Sequence, residues 1–168
     1  MASDHLENLL IRFITDNQSH IYRLAYSYVK NQQDALDIVQ ESIHKAISAA
    51  ATLRESRAIK SWLYRIVVNT SLDFLRKQKR VQLVDEATLE LYGTGMEDVY
   101  QDLDLEKALE ELPHKYQSVV VLRYFEDLKI EEVAEVLSEN VSTIKTRLYQ
   151  ALRMLRVKLS DGSLEEVK

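Results

Sequence analysis

The sequence predicts an all-α protein of two helical lobes joined by an acidic linker. Three observations lead there. Only three Gly and one Pro interrupt 168 residues; apolar residues recur at three- and four-residue steps through most of the chain; and charge is sorted into blocks of opposite sign. Net charge is −5, but the sum hides the arrangement. Residues 54–80 hold eight Lys and Arg against two acids, residues 81–112 hold one against ten, and residues 145–158 hold five with no acid.

In the first lobe (1–80), helical periodicity covers about residues 6–29, 34–51 and 57–80. Asn31 is expected to stop the first helix and Asp34 to cap the second. Residues 81–100 contain Gly93 and Gly95, an irregular apolar pattern and dense acid. They read as a flexible linker, with an acidic loop inside one domain as the alternative.

The second lobe (101–160) opens with a helix over 102–112, ended by Pro113, and a second over 114–126. The run Val119, Val120, Val121 suits a strand or a buried helix. Helical neighbours and the lack of a hairpin turn favour helix. Ile130, Val133, Ala134 and Leu137 then form one apolar stripe, and Ile144, Leu148, Ala151, Leu152, Leu155 and Leu159 form another. The polar turn Ser138-Glu139-Asn140-Val141 between them makes a helix-turn-helix pattern. Residues 161–168 read as a tail.

Several function classes are excluded. With no Cys, the chain has no disulfide, thiolate zinc site or thiol nucleophile. His5, His20, His44 and His114 never stand four apart around a Glu, and no Gly-rich phosphate loop or nucleophile motif is present. Neither catalytic residues, metal ligands nor a cofactor are expected. Asp4, Glu7 and Arg12 interrupt the first apolar positions, unlike a signal peptide. No apolar run reaches the ~18 residues of a membrane span. A cytoplasmic protein without membrane insertion is the expectation.

On the last helix, steps of 100° place the apolar stripe on one side and Ser142, Thr146, Tyr149, Gln150 and Arg153 on the other, with Thr143 in the first turn and Lys145 and Arg147 on the flanks. A solvated helix face normally mixes Glu with Lys; this one carries no acid. Base edges in a major groove are read by such residues, and phosphates are held by the cations. In the helix over 57–80, Arg65, Asn69, Asp73, Arg76 and Arg80 form one polar row beside Lys77. Trp62 fits a core position or a base-stacking one. Asp34, Asp37, Gln40 and Glu41 share a side of the second helix, as a solvated acidic face or as a docking surface for a basic partner.

Together these segments resemble the extracytoplasmic-function (ECF) sigma factors of the sigma-70 family. The first lobe is similar to the sigma2 domain through Asp34-Ala35-Leu36-Asp37-Ile38-Val39-Gln40-Glu41-Ser42, Ser61-Trp62-Leu63-Tyr64-Arg65-Ile66-Val67-Val68-Asn69 and Asp73-Phe74-Leu75-Arg76. The second is similar to sigma4 through Glu111-Leu112-Pro113, Arg123-Tyr124-Phe125-Glu126-Asp127-Leu128, Glu131-Glu132-Val133-Ala134 and Val141-Ser142-Thr143-Ile144-Lys145-Thr146-Arg147-Leu148. The resemblance covers nearly the whole chain in the family's order.

It implies a partner, bacterial core RNA polymerase, met at its clamp coiled coil by Asp34, Asp37, Gln40 and Glu41 and at its flap by the second lobe. Promoter DNA is the second partner. Arg65, Asn69, Arg76, Lys77 and Arg80 would contact the minus-10 element, a flipped base entering the loop over 53–60. Ser142, Thr143, Lys145, Thr146, Arg147, Tyr149, Gln150 and Arg153 would contact the minus-35 element. An anti-sigma factor, which can be membrane-anchored, and a cell-envelope or stress regulon are also implied. Gln150 stands where an arginine can occur, Asn140 where proline is frequent, Ser142 where glycine is usual and Lys129 where serine often caps. The rival readings are a free-standing helix-turn-helix regulator and a helical interaction protein without DNA binding.

Overall fold

The computed structural model describes residues 2–84 and 104–167, and no strand occurs among them. The first lobe comprises α1 (Ala2–Asp16), α2 (Gln18–Val29), α3 (Gln32–Ser48), short 3-10 turns at Ala50–Thr52 and Ser56–Ala58, and α4 (Ile59–Val84). The second comprises α5 (Asp104–Glu111), α6 (His114–Val120) running into a π turn (Val121–Phe125), α7 (Ile130–Leu137) and α8 (Val141–Val167). The expected linker keeps helical backbone as far as Val84; the rest of it, with Gly93 and Gly95, lies outside the described residues. The segment read as a tail continues α8 to Val167.

Two expectations about helix ends are corrected. The single helix over 6–29 is two, because Asn17 leaves helical geometry (φ −122, ψ 26) and its side-chain Nδ2 donates to the Phe13 carbonyl at 2.8 Å. That closes α1 without a glycine. The cap of α3 is Asn31 rather than Asp34: Asn31 Oδ1 accepts from the Asp34 N–H at 2.9 Å. Asp34 instead stands in the first turn, where a carboxylate suits the helix dipole.

The three consecutive valines are helical and buried, as expected. Past them the helix widens: the Glu126 N–H bonds Val121 O at 2.9 Å, a five-residue step. Asp127 then takes a left-handed conformation (φ 59), ending the element. Ser138 does the same after α7 (φ 57), and the Glu139 N–H reaches back to Ala134 O at 3.0 Å. This short closure lets α8 start two residues later and pack across α7.

Leu10, Ile21, Leu24, Ile38, Leu63 and Val67 are buried in the first lobe, and Leu112, Leu122, Leu128, Val133, Ile144 and Ala151 in the second. The two sets belong to one continuous apolar cluster, because α4 packs on α7 and α2 packs on α6 and its π turn. Polar contacts follow the same seam. Lys30 Nζ donates to the carbonyls of Glu110 and Leu112 at the end of α5. The Tyr28 and His114 rings lie 5.1 Å apart. Burial pushes the Tyr28 hydroxyl up to about 12, and desolvation with the nearby Lys30, Lys115 and Arg147 holds the His114 imidazole below its ordinary range.

Candidate nucleic-acid interface

α8 is the most complete of the three candidate surfaces. Ile144, Leu148, Ala151 and Leu155 are buried, which rotates Ser142, Lys145, Thr146, Tyr149, Gln150 and Arg153 outward; all six are exposed, Tyr149 at 70%. Leu152, expected in the buried stripe, is 39% exposed at its edge. Thr143 and Arg147 are half-buried.

The start of α8 is set by a residue whose importance the pattern did not signal. Asn140 Oδ1 accepts from the Thr143 N–H at 2.9 Å and lies 3.0 Å from Ser142 Oγ, so Asn140 is the N-cap. Thr146 Oγ1 donates to Ser142 O at 3.0 Å. Arg147 Nη2 pairs with Glu139 Oε2 at 2.9 Å, a fixed guanidinium beside the exposed face of α8 rather than on it. At the start of α7 the Glu132 carboxylate accepts from the Lys129 N–H at 2.8 Å. This supplies half of a capping box without the serine.

On α4, Arg65, Asn69, Arg76, Lys77 and Arg80 are all exposed along the expected row. Arg76 Nη1 sits 2.7 Å from Asp73 Oδ1, so part of its charge is compensated within the helix. Trp62 is half-buried and packs on the core. Beside the start of α4, a groove of about 300 Å³ is lined by Phe13, Asn17, Ser56, Arg57, Ile59 and Lys60, thus by the loop over 53–60 and the α1–α2 corner.

On α3, Asp37, Gln40 and Glu41 are exposed and Leu36 beside them is 50% exposed. Glu41 Oε2 pairs with Lys45 at 3.1 Å, and Asp34 Oδ2 accepts from Asn31 Nδ2 at 2.7 Å. Asp37, Gln40 and Glu41 join Asp73, Phe74 and Lys77 in an open groove of about 620 Å³ between α3 and α4. Asp34 stands outside this groove, and Lys77, expected with the minus-10 set, stands inside it.

Among the described residues the arrangement supplies hydrogen bonding, charge and shape, with no reactive constellation. Among the described residues no three His, Asp or Glu side chains come together as a metal site, and no helix is long and apolar enough to cross a membrane. Sequence reasoning also missed the ring around Glu126, a carboxylate 2% exposed at the end of the π turn. Tyr64 OH donates to its Oε1 at 2.7 Å, His20 Nδ1 lies 3.1 Å from the carboxylate and Arg23 Nη1 lies 3.8 Å from Oε2. Lys60 Nζ donates to the Glu126 carbonyl. Burial, then the bond to Glu126, raises the Tyr64 hydroxyl above its ordinary value. One signal was present: Glu126 follows Val119 by seven and Leu122 by four, in phase with the buried stripe.

Comparison with known proteins agrees with this geometry. The model of Sigma-70 region 2 matches residues 13–81, and that of Sigma-70, region 4, matches residues 102–155. The RNA polymerase sigma factor SigV of Bacillus subtilis is 54% identical, over 93% of this chain and 94% of its own. The ECF RNA polymerase sigma factor SigW of the same organism is 32% identical, over 84% and 83%. Among solved structures, the sigma factor RpoE of Bartonella quintana, in complex with the anti-sigma factor NepR, superposes with a TM-score of 0.72 at 23% identity, covering 89% of this chain and 97% of that one. CnrH, in complex with the cytosolic domain of CnrY, gives 0.66 at 21% identity, covering 95% and 93%. These two show the shared fold.

The matched sigma regions 2 and 4, the second ending in a helix-turn-helix, mark a transcription-initiation factor rather than an enzyme. The chain belongs to the sigma-70 family, among its ECF members.

Proposed function

We propose that this chain docks on core RNA polymerase through α3, engages and melts the minus-10 element along α4, and reads the minus-35 element with α8 while its second lobe rests on the flap. The observation that carries this reading is the exposed face of α8, which presents Lys145, Thr146, Tyr149, Gln150 and Arg153 without an acid and is held in place by a buried stripe on the opposite side. Asp37, Gln40, Glu41 and the exposed Leu36 supply an acidic, partly apolar patch for a basic coiled coil. Arg65, Asn69 and Arg80 supply a line of donors for a DNA backbone. The groove at Ser56, Arg57 and Lys60 is the place for an unstacked base.

The protein works in the cytoplasm, where polymerase is, and serves a cell-envelope or stress regulon. An anti-sigma factor holds it inactive; in support, RpoE was solved in complex with the anti-sigma factor NepR and CnrH in complex with the cytosolic domain of CnrY. The test is transcription: purified chain and core polymerase lacking any sigma are given a fragmented genomic library and the transcripts are sequenced. Discrete starts preceded by two spaced elements are expected. No complex and no specific starts, with controls active, would favour a free-standing helix-turn-helix regulator.

A further inference from the structure

The solvent side of α8 is not uniform. Three of its polar side chains are spent within the chain: Ser142 on Asn140, Thr146 on the Ser142 carbonyl and Arg147 on Glu139. The rest divide between two flanks. Steps of 100° put Lys145, Tyr149 and Arg156 on one flank and Thr143, Gln150 and Val157 on the other, with Arg153 between them. All but the half-buried Thr143 are exposed. The first flank carries two cations. The second carries none of its own, and Arg147 at its border is already neutralised by Glu139. Arg156 stands outside the set of residues expected to meet DNA.

The flanks suit different parts of a duplex. A phosphate needs only a cation or a donor, whereas a base edge is distinguished by its pattern of donors and acceptors. Lys145 and Arg156 stand ~16 Å apart along the helix axis, so each reaches its own phosphate. Gln150 is the exposed side chain on this side of α8 that ends in a planar amide, with the acceptor Oε1 and the donor Nε2 side by side. Adenine offers the complement, an accepting N7 beside a donating N6. Guanine offers two acceptors, which suit a guanidinium instead. We infer that α8 enters the major groove asymmetrically, with Lys145 and Arg156 holding phosphates on one flank and Gln150 on the other reading an adenine of the minus-35 element. This rests on the reading of α8 proposed above and adds to it a phosphate contact, Arg156, and the identity of a base.

The test uses the full chain assembled with core polymerase, on promoter duplexes whose minus-35 element is randomised. The unsubstituted chain is expected to prefer adenine by about tenfold at one position. Gln150→Ala should level the four bases there to within about threefold, and Gln150→Arg should turn that position to guanine by about tenfold, with every other position unchanged. Arg156→Ala should leave all preferences in place and make the slope of log affinity against log salt shallower by about 0.9, the loss of one phosphate contact. Helix content by circular dichroism should hold in all three, since both positions are exposed; if one Gln150 variant loses it, the other decides. Gln150 variants that alter no position beyond about twofold, or that alter one where the unsubstituted chain favours another base, overturn the adenine contact. An unchanged slope for Arg156→Ala overturns the phosphate flank. Specific transcription that ignores the minus-35 sequence altogether overturns the reading of α8 itself, and this inference falls with it.

Discussion

Arg147 Nη2 donates to Glu139 Oε2 across 2.9 Å, joining the turn of the helix-turn-helix to the second turn of α8. The pair holds a guanidinium beside the exposed face of α8 and cancels its charge there. Glu139→Ala is expected to cost no more than about 1 kcal/mol of stability, since both side chains are partly exposed. It releases one cation for phosphate, so the slope of log affinity against log salt for minus-35 duplex should steepen by about 0.9. Filter binding of the holoenzyme over a salt series measures it; an unchanged slope would place Arg147 away from the DNA backbone.

Asn140 caps α8 through the Thr143 N–H. Asn140→Ala should lower the unfolding free energy by about 1 kcal/mol and Asn140→Ser should restore most of it, because serine is an equally good acceptor at that position. Urea denaturation followed at helix wavelengths provides the comparison.

Ile144 is fully buried while Leu152 lies at the edge of the same helix. Ile144→Ala is expected to destabilise by about 2–5 kcal/mol, and Leu152→Ala by less than about 1 kcal/mol. Similar losses for both would mean that α8 buries a wider stripe in solution.

Thr146→Ala with Tyr149→Ala should change the preferred minus-35 sequence and leave assembly with core polymerase intact, as both side chains face solvent. Asp37→Arg should instead weaken assembly at least tenfold. Gel-shift titration with core enzyme separates the two, and an Asp37→Arg chain that assembles normally would remove α3 from the docking surface.

The His114 imidazole is held below its ordinary range by desolvation, reinforced by Lys30, Lys115 and Arg147. The unfolded chain therefore binds a proton that the folded chain resists. The associated stability is complete above the unfolded value near 6.5 and is lost as pH falls from there to the depressed folded value. Melting temperature should fall over that window, and His114→Gln should flatten the dependence.

Helix identity was legible wherever apolar spacing ran unbroken, and the exposed face of α8 followed from it, since burying Ile144, Leu148, Ala151 and Leu155 leaves only one orientation for Tyr149 and Arg153. Ends were less legible. Asn17 sits in a polar gap that a continuous helix would also permit, and the break shows only in its backbone dihedrals and its side-chain bond to Phe13 O. Asn31 and Asp34 are both capping residues by type, and the backbone decides between them. The ring around Glu126 was illegible for a different reason: its partners lie more than 60 residues away, and no local pattern encodes which distant tyrosine or lysine will meet a carboxylate.

The two sides of α8 share almost no chemistry. Ile144, Leu148, Ala151 and Leu155 hold the fold, while Lys145, Thr146, Tyr149, Gln150 and Arg153 have no packing duty to lose. Surface substitutions of that kind usually shift stability by no more than about 0.5 kcal/mol. On the proposed reading of α8, a duplicated copy of this scaffold would drift to a new promoter vocabulary by single exchanges on one helix, each intermediate still folded, and one architecture would come to serve many separate sets of genes within a lineage.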